Sequence, residues 1–178
     1  MSFWRAMLPR LRSNNHSFFM EQRTRIVIVG NGFGGVYAAK HLQSLAERGL
    51  ADITIIGRAN HFLFTPLLHE VATGGLSPTS VVEPLHEVFR HSNVHCLEME
   101  VAKVDLVEQA VIGACRGTPT QIPYDYLVIA SGAETNAYGI KGVAEHAYAL
   151  KTLADAVAIR NRIIQAVEEA SATTDAVK

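Results

Sequence analysis

The chain alternates short unbroken apolar runs with longer stretches whose apolar residues recur at helical spacing, and this punctuation predicts an α/β fold. Ile26, Val27, Ile28 and Val29 form a β-branched run without alternation, as expected of a strand buried on both faces of a parallel sheet. Val36, Ala39, Leu42 and Leu45 then lie on one helical face, Arg48-Gly49 supplies a helix end, and Asp52 to Ile56 reads as a second strand. From Asn93 to Ile122 the texture changes. Val94 to Glu98 continues the sheet, and Leu97, Met99 and Val101 alternate with Glu98 and Glu100. Val104 to Leu106 and Ala110 to Ala114 follow, with Gly117-Thr118-Pro119 predicted as a turn, so the segment reads as a small antiparallel excursion. Tyr126 to Ala130 is a further apolar strand that ends in Ser131-Gly132-Ala133. The last element opens at Thr152 with Asp155 three residues on, a capping-box pattern, and Leu153, Val157, Ile163, Ile164 and Val167 predict a buried stripe.

Chemistry enters with the glycines between the first strand and the first helix. In Gly30-Asn31-Gly32-Phe33-Gly34-Gly35, Gly30 allows a sharp turn and Gly32 lets a pyrophosphate approach the backbone. Gly35 lets helix and strand pack closely, and the helix start offers unpaired N–H groups to an anion. A strand before the pattern and a helix and second strand after it favour dinucleotide binding over a turn alone. At the end of the second strand, where NAD-binding folds carry an acid for the ribose hydroxyls, stand Gly57 and Arg58. Arg58 also invites a 2′-phosphate reading, which the downstream segments do not support. A glycine at the carboxyl end of the Tyr126 strand marks a second place where an open sheet binds ligand, which puts Ala130, Ser131 and Gly132 at the site.

Composition narrows the class. A chain of 178 residues with 48% hydrophobic residues supports about one domain with a real core. The net charge of −1, without a long basic run, gives no argument for nucleic acid. No segment approaches the roughly 20 apolar residues that span a bilayer. Cys96 and Cys115 form neither a C-x-x-C pair nor a metal pattern and read as buried or incidental thiols, with a reduced cytoplasmic compartment as the default. His86, His91 and His95 fall across a predicted helix end and into a strand, and read as solvated rather than as metal ligands. Residues 1–23 stand outside the α/β pattern. They read as a disordered extension or, through Phe3, Trp4, Met7, Leu8 and Leu11 among arginines, as a cationic amphipathic segment on anionic lipid that Pro9 interrupts. Met20 is an alternative start.

The segments GNGFGGVYAAKHL, NHFLFTPLLHEVATGGLSP, DYLVIASGAETN and GIKGVAEHAYALKTLADAVAIRNRI, in that order, resemble the N-terminal part of type II NADH dehydrogenases. These are single-chain NADH:quinone oxidoreductases with FAD. The resemblance runs from about Thr24 to Glu169. It implies a Rossmann-like FAD-binding domain with a parallel sheet and an antiparallel β-meander over residues 24–150, and a connecting helix and tail over 151–178. It also implies that Gly30, Gly32, Phe33, Gly34 and Gly35 contact the FAD pyrophosphate, and that Gly57 and Arg58 occupy the ribose position, where the family often has an acid. Thr65 and Pro66 would run beside the isoalloxazine ring, with Val101 at the adenine and Ala130, Ser131 and Gly132 lining the flavin site. Ser131 replaces the family's usual threonine and keeps the hydroxyl, and His86 stands where an arginine is usual.

A complete member of that family would add a second glycine fingerprint for NADH, a Gly-Asp flavin motif and amphipathic membrane helices, none of which is present in these 178 residues. The sequence therefore predicts no catalytic acid or base and three readings. The chain is an FAD-binding portion of an NADH:quinone oxidoreductase, inactive alone, with NADH, quinone and a peripheral contact on the inner face of the cytoplasmic membrane entering only with the rest. Alternatively it is a truncated remnant, or a nucleotide-binding module without catalysis. A disulfide reductase would need a redox cysteine pair that Gly57 to Leu85 does not contain, and a sulfide:quinone oxidoreductase would need catalytic cysteines that the spacing of Cys96 and Cys115 does not suggest.

Overall fold

The computed structural model describes residues 23–172; the expectations for the segment before Arg23 and for the tail after Ala172 lie outside the described residues. A parallel four-stranded sheet, with strands in the order Val94–Glu98, Ala51–Gly57, Thr24–Val29 and Tyr126–Ile129, forms the frame. It consists of β1 (Thr24–Val29), β2 (Ala51–Gly57), β5 (Val94–Glu98) and β9 (Tyr126–Ile129). Helix α1 (Phe33–Glu47) makes the crossover from β1 to β2. Between β2 and β5 the chain makes a small hairpin of β3 (His61–Leu63) and β4 (Val82–Pro84). Two short helices, α2 (Leu68–Ala72) and α3 (Leu85–Val88), belong to the same excursion. Strands β6 (Glu100–Asp105), β7 (Ala110–Cys115) and β8 (Thr118–Pro123) form a separate antiparallel meander. One helical turn, α4 (Val143–His146), and the long α5 (Leu153–Ala172) complete the chain.

The two faces of the parallel sheet bury different residues of the same strands, because side chains alternate along a strand. Ile26, Ile28, Ile53 and Ile55 pack with Val36 and Ala39 of α1 and with Leu85 and Phe89. Val27 and Ile56 point the other way, onto Val111 of the meander and Met99 and Tyr124 at its two ends. This explains why β1 reads as a continuous apolar run: both faces are covered. A third cluster joins Leu68, Val71, Ala72 and Val81 to Ala156, and so seats the first turns of α5 on α2.

Local chemistry sets the turns. Arg116 and Gly117, at φ 48° and 81°, make the tight β7–β8 connection, both in the left-handed region that such hairpins need. The turn is thus Arg116-Gly117, and Thr118 and Pro119 are the first residues of β8. Proline is tolerated there because β8 is the outer strand of the meander. The α5 capping box forms as expected: the Thr152 N–H donates to Asp155 Oδ2 at 2.8 Å and the Asp155 N–H donates to Thr152 Oγ1 at 3.2 Å. The predicted stripe of α5 holds only for Leu153 and Val157, which pack on the α2 cluster. Ile163, Ile164 and Val167 are exposed, the last at 60%, because α5 extends past the elements that cover its first turns.

Strand β9 is fastened at its start by Arg25. The Asp125 carboxylate accepts from the Arg25 backbone N–H at 2.7 Å, from Nε at 3.2 Å and from Nη2 at 2.6 Å, and the Asp125 N–H donates to the Arg25 carbonyl at 2.9 Å. The side-chain and backbone hydrogen bonds from Arg25 hold the Asp125 carboxyl down to about 2. A depressed carboxyl stabilises the fold above its unfolded value of about 3.9, and the contribution is lost as pH falls through the folded value. Asp125→Asn is expected to lower the thermal midpoint at neutral pH modestly, since both side chains are over a third exposed. Melting curves recorded between pH 5 and 2 should show the variant's deficit vanishing towards the acid end; a deficit that persists at pH 2 would mean the charge is not its source.

Candidate functional site

Backbone continuation beyond the strand ends gathers the carboxyl edge of the sheet into one place. The Gly30 N–H donates to the Ile56 carbonyl at 2.7 Å, the Ala130 N–H to Val29 at 2.7 Å and the Met99 N–H to Gly57 at 2.9 Å. The ends of β1, β2, β5 and β9 are thereby held in register at the edge where open α/β sheets bind ligands.

The glycines of the loop divide into two kinds. Gly30 has φ +112°, and a Cβ there would strike the carbonyl of Ala130; a Cβ on Gly35 would strike the carbonyl of Gly30. These two are required by the protein's own packing. Gly32 differs, because a Cβ built on it meets nothing within 4 Å. It is exposed, has φ −78°, and stands at the start of α1, which carries no side-chain cap and no acid in its first turn. The positive end of a 15-residue helix therefore faces an open space beside a residue without a side chain. That arrangement fits a pyrophosphate: the space is one a side chain would fill, and the donors that border it are backbone amides. Gly132, at φ +76°, also faces open space.

The remaining expected residues are distributed around this centre. Gly34 approaches β9, since its Cβ would lie 3.4 Å from that of Ala130, and the Ser131 N–H lies against Gly30. Phe33 stacks edge-on with Phe62 at 4.9 Å between centroids and packs on Phe64 at 5.4 Å. This ring cluster holds the exposed Thr65-Pro66 turn, which follows Phe64, beside the start of α1. Gly57 is buried at the end of β2 and Arg58 is exposed next to it. Val101 stands apart: it is in β6 and packs against the cluster of Val27, Ile56 and Met99.

Sequence reasoning missed Asn31. Its amide Nδ2 donates to the carbonyls of Ala59 at 2.6 Å and His61 at 3.0 Å, and so ties the glycine loop to the β2–β3 connection. No spacing rule marks the residue between two glycines, so only its capacity to donate twice could have drawn notice. Among the described residues no three His, Cys, Asp or Glu side chains come together as metal ligands. Cys96 is exposed on β5 rather than buried, and Cys115 is partly buried on β7. Partial burial still pushes the Cys96 thiol up, away from the thiolate that redox chemistry uses. No helix among the described residues is long and apolar enough to cross a membrane.

The family profile for pyridine nucleotide-disulphide oxidoreductase matches residues 24–172. The type II NADH:quinone oxidoreductase Ndh of Mycobacterium tuberculosis is 41% identical over 155 residues, which is 86% of this chain and 33% of that protein. The external alternative NAD(P)H-ubiquinone oxidoreductase B3, mitochondrial, of Arabidopsis thaliana is 35% identical over 170 residues, 89% of this chain and 28% of that one. The structure of NDH2 from Plasmodium falciparum in complex with NADH superposes with a TM-score of 0.73 at 28% identity, covering 87% of this chain and 32% of that one. The chain thus spans about a third of the length of the relatives it matches.

Proposed function

The chain belongs to the pyridine nucleotide-disulphide oxidoreductase family, and from that premise we propose that it binds FAD on its glycine loop as part of an NADH:quinone oxidoreductase. The observation that carries this reading is the open space at Gly32 in front of the uncapped start of α1. When bound, FAD supplies the redox chemistry, accepting hydride from NADH and passing electrons on to a membrane quinone. The chain's own residues bind and orient. The first-turn amides of α1, at Phe33, Gly34 and Gly35, face the pyrophosphate, and Ala130, Ser131 and Gly132 with Thr65 and Pro66 border the flavin end. The names of the relatives support the NADH and quinone assignments. Contact with the membrane, in this reading, is peripheral.

Among the described residues there is one strand–glycine turn–helix unit, and it is the one assigned to FAD. Hydride transfer from NADH is therefore assigned to none of the described residues, which in this reading hold the flavin. The test is a visible spectrum of the purified full chain titrated with FAD and then mixed with NADH without oxygen. The expected result is a bound-flavin spectrum that NADH does not bleach. Bleaching would show that these residues suffice for hydride transfer, and failure to bind flavin would overturn the FAD assignment.

A further inference from the structure

The end of β2 lacks the acid that dinucleotide folds use to accept hydrogen bonds from the adenosine ribose. Its residues are Gly57, without a side chain, and Arg58, which has donors and no acceptor. The structure shows why no side chain stands at 57: a Cβ there would collide with the carboxamide of Asn31, its Oδ1 included. Asn31 has already taken the place a strand-end side chain would grow into.

Both hydrogens of the Asn31 amide are spent on the carbonyls of Ala59 and His61, which sets the nitrogen towards the β2–β3 connection and leaves Oδ1 as an acceptor. Oδ1 has no partner among the described residues. No side-chain oxygen or nitrogen of the partly buried residues there is both unpaired and shut off from solvent, so this oxygen keeps access to solvent. We propose that Asn31 Oδ1 accepts the hydrogen bond from the adenosine ribose hydroxyls of the bound dinucleotide, in place of a strand-end carboxylate. The proposal rests on the FAD reading and adds to it the group that recognises the ribose.

The test compares FAD with an FAD analogue lacking both adenosine ribose hydroxyls, by flavin fluorescence on the full chain. Wild type is expected to prefer FAD by about tenfold, the scale of one ligand hydrogen bond to a fixed acceptor. Asn31→Ala should bring the two ligands to within about twofold of each other, having removed that acceptor. Asn31→Asp gives up the bonds to Ala59 and His61 yet keeps an acceptor, and should retain the preference. The proposal is overturned if wild type does not discriminate, or if Asn31→Ala weakens both ligands equally and keeps the preference, since Asn31 would then only clip the turn. A wild-type chain that binds neither ligand is read before any variant is made and overturns the FAD assignment itself.

Discussion

Replacing Gly35 with valine will unfold the chain rather than merely weaken its hold on a ligand. Gly35 lies in the first turn of α1, and the Cβ of any other residue there would overlap the carbonyl of Gly30, with Ile28 Cγ2 already at van der Waals distance behind it. The overlap cannot be relieved cheaply. Gly30 is itself held by its N–H bond to Ile56 and by its approach to Ala130, while Ile28 is fully buried between β1 and α1. To admit a side chain the helix must move off the sheet and open the cluster of Ile26, Ile28, Val36 and Ala39. The expected cost exceeds about 4 kcal/mol, at the far end of single-substitution effects and comparable with the 5–15 kcal/mol that holds a typical domain. Far-ultraviolet circular dichroism and a denaturant titration would read it. A Gly35→Val protein with a wild-type midpoint would show that α1 does not pack as described.

Gly32→Val gives the opposite result from a change three residues away. The backbone at Gly32, φ −78° and ψ −165°, is extended and open to any residue, and the added side chain meets no protein atom within 4 Å. Stability should change by no more than about 1 kcal/mol, the scale of losing a good helix N-cap residue. Affinity for FAD should fall by about 100-fold or more, because the isopropyl group enters the space assigned to the pyrophosphate and screens the first-turn amides of α1. Midpoint and binding must be measured on the same preparation. A variant that binds FAD as wild type does would remove the glycine loop from the site. The two substitutions together separate glycines that serve the fold from the one left for a ligand.

That division was legible in the sequence, where Gly30 reads as the turn, Gly32 as the approach to a ligand and Gly35 as the helix–strand contact; other features were not. The strand–turn–helix unit was readable because two independent signals coincide there, a β-branched run without alternation and glycines at fixed spacing, and both depend on local geometry. The capping box of Thr152 and Asp155 and the alternation of the meander are local in the same sense. What could not be read depends on distant partners. A helical stripe says which side of α5 is apolar, and nothing in it says that the cover ends before Ile163. Thr118 and Pro119 resemble turn residues, and they are strand residues because β8 has a free side on which a missing N–H costs nothing. Gly57 reads as a departure from an acidic pattern until Asn31, 26 positions earlier in the chain, is seen in the space above it. The candidate site was legible where backbone conformation makes it and hidden where a side chain from elsewhere in the chain fills the space.

The Arg25–Asp125 clasp joins positions 100 residues apart, and with it the β1–β9 pairing sets the order in which the molecule can assemble. Local units such as β1-α1-β2 and the β6–β8 hairpins close short loops and form early, whereas β9 must wait for a contact of very high sequence separation. Ala130, Ser131 and Gly132 follow β9 directly, so their edge of the site exists only after this slowest docking event. During synthesis the loop of Gly30 to Gly35 leaves the ribosome long before its partner strand. The nascent chain therefore passes through a stage with a finished helix start and half a cradle, and the proposed dinucleotide site is complete only at the last step of folding.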